Sequence, residues 1–217
     1  MEVNRAKQMD YFSGVEYRDP THPVVQAYAH PKIDYVLKNV TLPPNAKVLD
    51  VGCGGGVFTY HLARISDFVI GLDFSSNLLA QNRHRLKVCG DAVNLPFADG
   101  SFDMVFEANL LHHVSDRQSV IAAMKRVTRR YVVLIEPNRL NPVMFAFSLV
   151  VPAERGGLNS SARTLKRLVE EGGMKCLSVM TTGMISQNNT PEFLLPFLKR
   201  FDKEISWGEY VVLIAET

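Results

Sequence analysis

The sequence predicts an α/β protein with a doubly wound, mostly parallel sheet of seven strands. Helices cover both faces, and an antiparallel strand lies near the C-terminus. Three observations lead there. Short apolar runs alternate with helical stretches five times between residues 47 and 137, the pattern of strand–helix–strand units. The first run ends in a glycine-dense turn, Asp50-Val51-Gly52-Cys53-Gly54-Gly55-Gly56, which opens a helix. Two more strand-like runs, 175–180 and 210–215, close the chain. They are expected to be neighbours, at least one of them antiparallel.

Composition bounds the rest. The chain has 217 residues, 47% of them hydrophobic, which suits one folded domain with a sizeable core. A net charge of +2 gives no support for a nucleic-acid partner. Cys53, Cys89 and Cys176 are widely spaced, so no metal site is expected and reduced thiols in the cytoplasm are. Met1-Glu2-Val3-Asn4-Arg5 lacks the apolar stretch of a signal peptide. The longest apolar stretch, Pro142 to Pro152, is far short of the ~20 residues of a membrane span.

The elements follow in order. Residues 1–20 are a polar lead-in with aromatic residues Tyr11, Phe12 and Tyr17. A helical pattern over 22–40 contains Pro31, which should kink or split it. Val48–Val51 is the first strand, Gly56–Ile65 the first core helix and Phe68–Asp73 the second strand. Ser75 or Ser76 caps a helix to about Leu86. Lys87–Asp91 and Phe102–Phe106 are the next strands. Ser115–Thr128 is amphipathic, with Val120, Ile121, Met124 and Val127 on one face. Its basic end, Lys125-Arg126 and Arg129-Arg130, reads as charge at a helix C-terminus. Tyr131–Ile135 is a continuous apolar run fit for burial on both faces. Beyond Pro137, Met144–Val151 is apolar, Ser160–Glu171 is a capped helix, and 191–201 is a helix candidate broken by Pro196.

A glycine turn after a strand brings bare backbone N–H groups to a ligand. The dinucleotide fingerprint GxGxxG places its third glycine where this chain has Val57. An acid at the strand end, Asp50, does not help a pyrophosphate but suits a ligand with a positive group. That sets an NAD-dependent oxidoreductase well behind.

Four motifs then resemble the class I S-adenosylmethionine-dependent methyltransferases, with their Rossmann-like fold, and within them the family holding many small-molecule methyltransferases. They are Val48–Gly56, Gly71-Leu72-Asp73-Phe74-Ser75, Gly90-Asp91-Ala92-Val93-Asn94-Leu95-Pro96-Phe97, and Ser101–Val105 leading to Leu111-His112-His113-Val114. The likeness covers about residues 45–137. It implies that Gly52, Cys53 and Gly54 approach the methionine part of S-adenosylmethionine, with Asp50 holding the ammonium directly or through water. It implies that Asp73, whose two oxygens can accept from both ribose hydroxyls, binds the ribose. Phe74 packs on adenine, Asp91 and Ala92 hydrogen-bond it, and Glu107 lies beside the methionine and sulfonium. His112 and His113 are weak candidates for a general base; lining the pocket without proton transfer fits them better.

The same resemblance divides the chain into an N-terminal helical lid (1–44), a cofactor-binding core (45–137) and a C-terminal part with substrate-side insertions (138–217). Tyr11 and Phe12 could fold over the cofactor. The apolar and aromatic character of the insertions points to a small-molecule acceptor; the same surface could instead form a homodimer contact. Glu107-Ala108-Asn109-Leu110 is no DPPY-like motif and there is no Pro-Cys pair, which argues against methylation of nucleic-acid bases. Two alternatives stand beside this reading: a non-catalytic binding or scaffold protein, and an RNA or protein methyltransferase.

Overall fold

A computed structural model describes Tyr11, Gly14, residues 17–201 and residues 203–217. Phe12 lies outside the described residues. The seven strands are β1 (Lys47–Val51), β2 (Phe68–Asp73), β3 (Lys87–Cys89), β4 (Phe102–Ala108), β5 (Thr128–Pro137), β6 (Lys175–Thr182) and β7 (Tyr210–Glu216). They lie in the order β3-β2-β1-β4-β5-β7-β6. Strands β1 to β5 are parallel, and β7 runs antiparallel to both β5 and β6. The predicted fold class is therefore observed. Strand order reverses between β1 and β4, and in such sheets the crevice at the C-terminal ends of those strands takes ligands.

Alternation along each strand makes two cores. Val48, Met104, Phe106, Val133, Ile135 and Ile214 pack on one face beneath α1 (Pro23–Asn39) and α2 (Val57–Leu62). Leu49, Val51, Val105, Val132, Leu134 and Leu213 pack on the other beneath α4 (Arg117–Val127) and α6 (Ala162–Glu171). The remaining helices, α3 (Ser76–Gln81), α5 (Pro142–Val150) and α7 (Leu195–Leu198), are short. Among the described residues, no helix is long and apolar enough to cross a membrane.

Two expectations need correction. Pro31 does not split its helix: α1 runs through it for 17 residues. Buried Val24, Val25, Tyr28, Ile33 and Val36 hold that helix on the sheet, so packing outweighs the one hydrogen bond a proline removes. Helix α3 ends at Gln81, not near Leu86, because Asn82 turns inward. Its amide donates to Thr59 Oγ1 at 3.3 Å, and its Oδ1 accepts from the His84 N–H at 2.9 Å.

Asn82 also explains the last glycine of the turn. Gly56 has φ +88°, and a Cβ there would lie 2.3 Å from Asn82 Oδ1. Gly56→Ala combines left-handed strain with a clash against a pinned side chain. A loss of about 2–5 kcal/mol is expected, read as a lower urea midpoint at unchanged slope.

Candidate active site

The glycine turn is tied to the neighbouring strand. The N–H groups of Gly52 and Cys53 both donate to Leu72 O, at 2.7 and 3.0 Å. Gly52 has φ +72°, and a Cβ there would press on the Leu110 side chain at 3.1 Å. The turn thus forms one wall of a cleft of about 260 Å³ at the reversal point of the sheet. Of the residues singled out by sequence, Asp50, Gly52, Cys53, Gly54, Asp73, Phe74, Asp91, Ala92 and His113 line it. Glu107 and His112 do not.

Its acids sit at successive strand ends. Asp50 is buried and accepts from Thr59 Oγ1 at 2.6 Å. Burial, with a smaller push from Asp73, raises its pKa to about 7 despite that hydrogen bond. Asp73 accepts from the Gly54 N–H and the Ser75 N–H, each at 2.8 Å. Burial raises its pKa and these amides oppose the rise. These amides, with that of Phe74, do not use up the lone pairs of a carboxylate that has about four. Asp91 accepts from the Val93 N–H at 3.1 Å, an Asx turn that shapes the loop carrying Ala92.

Behind this wall lies a buried charge cluster. His112 Nδ1 is 2.8 Å from Glu136 Oε2, and its Nε2 is 3.2 Å from Glu154 Oε2. Glu136 also accepts from the Leu111 and His112 N–H groups, at 2.9 and 3.1 Å. Burial alone would lower the His112 pKa; the two carboxylates overcome it and raise it to about 9. Glu107 is wholly buried, and burial together with the Glu136 charge raises its pKa well above the carboxylate range. His113 is different. Burial and the neighbouring His112 charge push its pKa down to about 3, so its ring is neutral. Its Nδ1 lies 3.1 Å from Ala153 O. A carbonyl can only accept, so Nδ1 carries the proton and Nε2 the lone pair.

Among the described residues, His112, His113 and Glu154 are close enough to share a metal ion. Both ring nitrogens of His112 already face carboxylates, however, so its ring is occupied in a triad with Glu136 and Glu154. Sequence reasoning did not find Glu154, which lies 42 residues beyond His112. Nor did it assign Tyr17, Leu110 and Gln187 to the cleft wall. Tyr17 lies across the turn, so close that a Cβ on Gly55 would be 3.0 Å from its ring. Tyr11 reaches Glu154 instead, its hydroxyl donating to Oε1 at 3.4 Å.

These residues fit S-adenosylmethionine. An acid beside a backbone-lined turn suits an ammonium, a second acid with spare lone pairs suits vicinal hydroxyls, and Phe74, Leu78 and Ala92 form an apolar stretch of wall suited to a flat base. A pyrophosphate would meet three carboxylates.

Comparison with known proteins agrees. The family described as "Methyltransferase domain" matches residues 49–135. A demethylmenaquinone methyltransferase of Corynebacterium glutamicum is 36% identical over 115 residues, 52% of this chain and 50% of that protein. An uncharacterized methyltransferase of Synechocystis sp. is 37% identical over 99 residues, 43% of this chain and 47% of that protein. The chain spans about half the length of these curated relatives. Among solved structures, a SAM-dependent methyltransferase from Thermotoga maritima superposes with a TM-score of 0.69 at 19% identity, covering 89% of this chain and 90% of that one. The cyclase SpnF superposes with a TM-score of 0.65 at 17% identity, covering 98% and 92%. At those identities the likeness speaks to fold alone, and SpnF carries a different activity on it. Residues 49–135 thus match the methyltransferase-domain family, on the fold that the solved S-adenosylmethionine-dependent methyltransferase shares.

Proposed function

We propose that the protein transfers a methyl group from S-adenosylmethionine to a small, largely apolar acceptor. The observation that carries this is the placement of Asp50, Asp73 and Asp91 at successive strand ends around one glycine-walled cleft. Asp50 takes the ammonium, Asp73 the ribose hydroxyls, and Asp91 with the Ala92 N–H the adenine edge. Gly52 and Gly54 let the backbone approach the methionine part, and Cys53 and Phe74 complete the wall. When bound, the cofactor supplies an electrophilic methyl group on a sulfonium. The chain then has to align an acceptor and exclude water. Tyr17 and Gln187 close the cleft from the N- and C-terminal segments, which supports reading residues 1–44 as a lid.

His113 lines the cleft, and in this reading it faces the acceptor. A ring with a pKa near 3 is a poor general base at neutral pH. Its role is to accept a hydrogen bond through Nε2 and orient an acceptor hydroxyl. His112, protonated and turned to Glu136, stiffens the wall. The demethylmenaquinone methyltransferases among the relatives favour an aromatic diol or a similar planar acceptor.

The test is transfer of labelled methyl from S-adenosylmethionine to naphthoquinol-type and other aromatic small molecules, against a tRNA pool. Transfer to small molecules is expected; transfer confined to RNA would overturn the reading. A second expectation concerns pH. A cationic ammonium favours ionised Asp50, whose pKa in the free protein is about 7. Cofactor affinity should therefore fall as pH drops below 7, by up to about tenfold per unit. Asp50→Asn should flatten that slope in calorimetric titrations.

A further inference from the structure

Helix α5 is built inside out. Its sequence, Pro142-Val143-Met144-Phe145-Ala146-Phe147-Ser148-Leu149-Val150, has no charge, and its only hydroxyl is Ser148. Met144 and Ser148 are the residues it buries against the protein. Val143, Phe145 and Leu149 are about half exposed, and Val150 is 78% exposed. A helix apolar on nearly all sides normally lies in a core or in lipid. Here the fold does not need the exposed side chains. The helix is held by its cap, where Asn141 Oδ1 accepts from the Val143 and Met144 N–H groups at 2.9 Å. Asn141 Nδ2 donates to Trp207 O at 2.8 Å, which brings a 44% exposed tryptophan to the same end.

Charge says what covers this face. Between Asn138 and Arg155 the charged residues are Arg139, Glu154 and Arg155. Glu154 points inward to His112. Arg139 and Arg155 are exposed, flank the helix in sequence, and have no ion pair among the described residues. The unpaired charges of this segment are therefore both positive. Apolar side chains and a tryptophan framed by arginines match an anionic lipid surface, where the helix can lie flat with its apolar residues among the acyl chains and its arginines at the headgroups.

We propose that α5, with Leu140, Trp207, Arg139 and Arg155, docks the protein on anionic phospholipid bilayers. The inference rests on the helix and its rim, not on the identity of the methyl acceptor. The test is co-sedimentation of the full chain with phosphatidylcholine vesicles with and without phosphatidylglycerol. Binding to the anionic vesicles is expected, weakening with salt. Arg139→Gln and Arg155→Gln should each weaken it about fivefold. Phe145→Asp with Leu149→Asp should weaken it at least about tenfold, with melting temperature and S-adenosylmethionine affinity unchanged because neither residue touches the cleft. Absence of vesicle binding, or equal binding by the double variant, would overturn the proposal. So would a dimer in light scattering that the double variant splits, or vesicle binding that emerges only after residues 1–10 are removed.

Discussion

Asp73→Ala is expected to lower S-adenosylmethionine affinity by about 3 kcal/mol, more than a hundredfold, while leaving the protein folded. The size follows from hydrogen bonds to a charged acceptor, each contributing about 1.5–3 kcal/mol. In the proposed role Asp73 accepts from both hydroxyls of one ribose, but its bonds to the Gly54 and Ser75 N–H groups also shape the turn. Asp73→Asn separates the two roles. Its carbonyl oxygen can still accept, so it should retain more affinity than alanine and a turn closer to wild type. Calorimetry with the two variants checks this. Equal affinity in wild type and Asp73→Ala would remove the ribose assignment.

His112→Ala is expected to cost about 3–5 kcal/mol of stability at neutral pH. It leaves the Glu136 carboxylate buried beside Glu107 with its imidazolium gone. For a domain whose whole margin is typically 5–15 kcal/mol, this is a large share. The wild type should also show a pH signature. The folded pKa of His112, about 9, lies above the unfolded value near 6.5. Its contribution is full below pH 6.5 and is lost as pH rises through 9, up to about 3 kcal/mol in all. Glu136 runs the other way. His112 holds its pKa below the carboxylate range against the upward push of burial. Its contribution is present above the unfolded value and lost as pH falls through the folded one. Urea unfolding across pH 6 to 10 should show wild type losing stability through the alkaline arm, with that slope absent in His112→Ala. Parallel curves would mean the triad is not an ion pair.

The contrast between these two residues marks what the sequence could reveal. That Asp50, Asp73 and Asp91 line one cleft was legible because the pattern is local. Each follows a short apolar run, and a parallel sheet brings such strand ends to one edge without further information. The fold was legible for the same reason, since alternating runs fix which face each strand residue takes. The His112 triad was not, because Glu136 comes from the end of β5, 24 residues on, and Glu154 from the insertion that follows, 42 residues on. The helix predicted to about Leu86 ended early for a related reason. Asn82 is buried, satisfied by Thr59 and His84, and stops it. Pro31 was read by local rule and overruled by packing. On α5, the sequence supplied an apolar segment, and only the fold revealed that its apolar residues face outward.

The central claim is that the cleft between β1 and β4 holds S-adenosylmethionine with its methyl group toward His113. A crystal structure with S-adenosylhomocysteine tests it most directly. The account predicts ribose hydroxyls on Asp73, adenine between Phe74 and Ala92 with its amino group toward Asp91, and the homocysteine amine near Asp50 above Gly52 and Gly54. The product bound elsewhere, or in this cleft with its adenine at the Asp50 end, would contradict it.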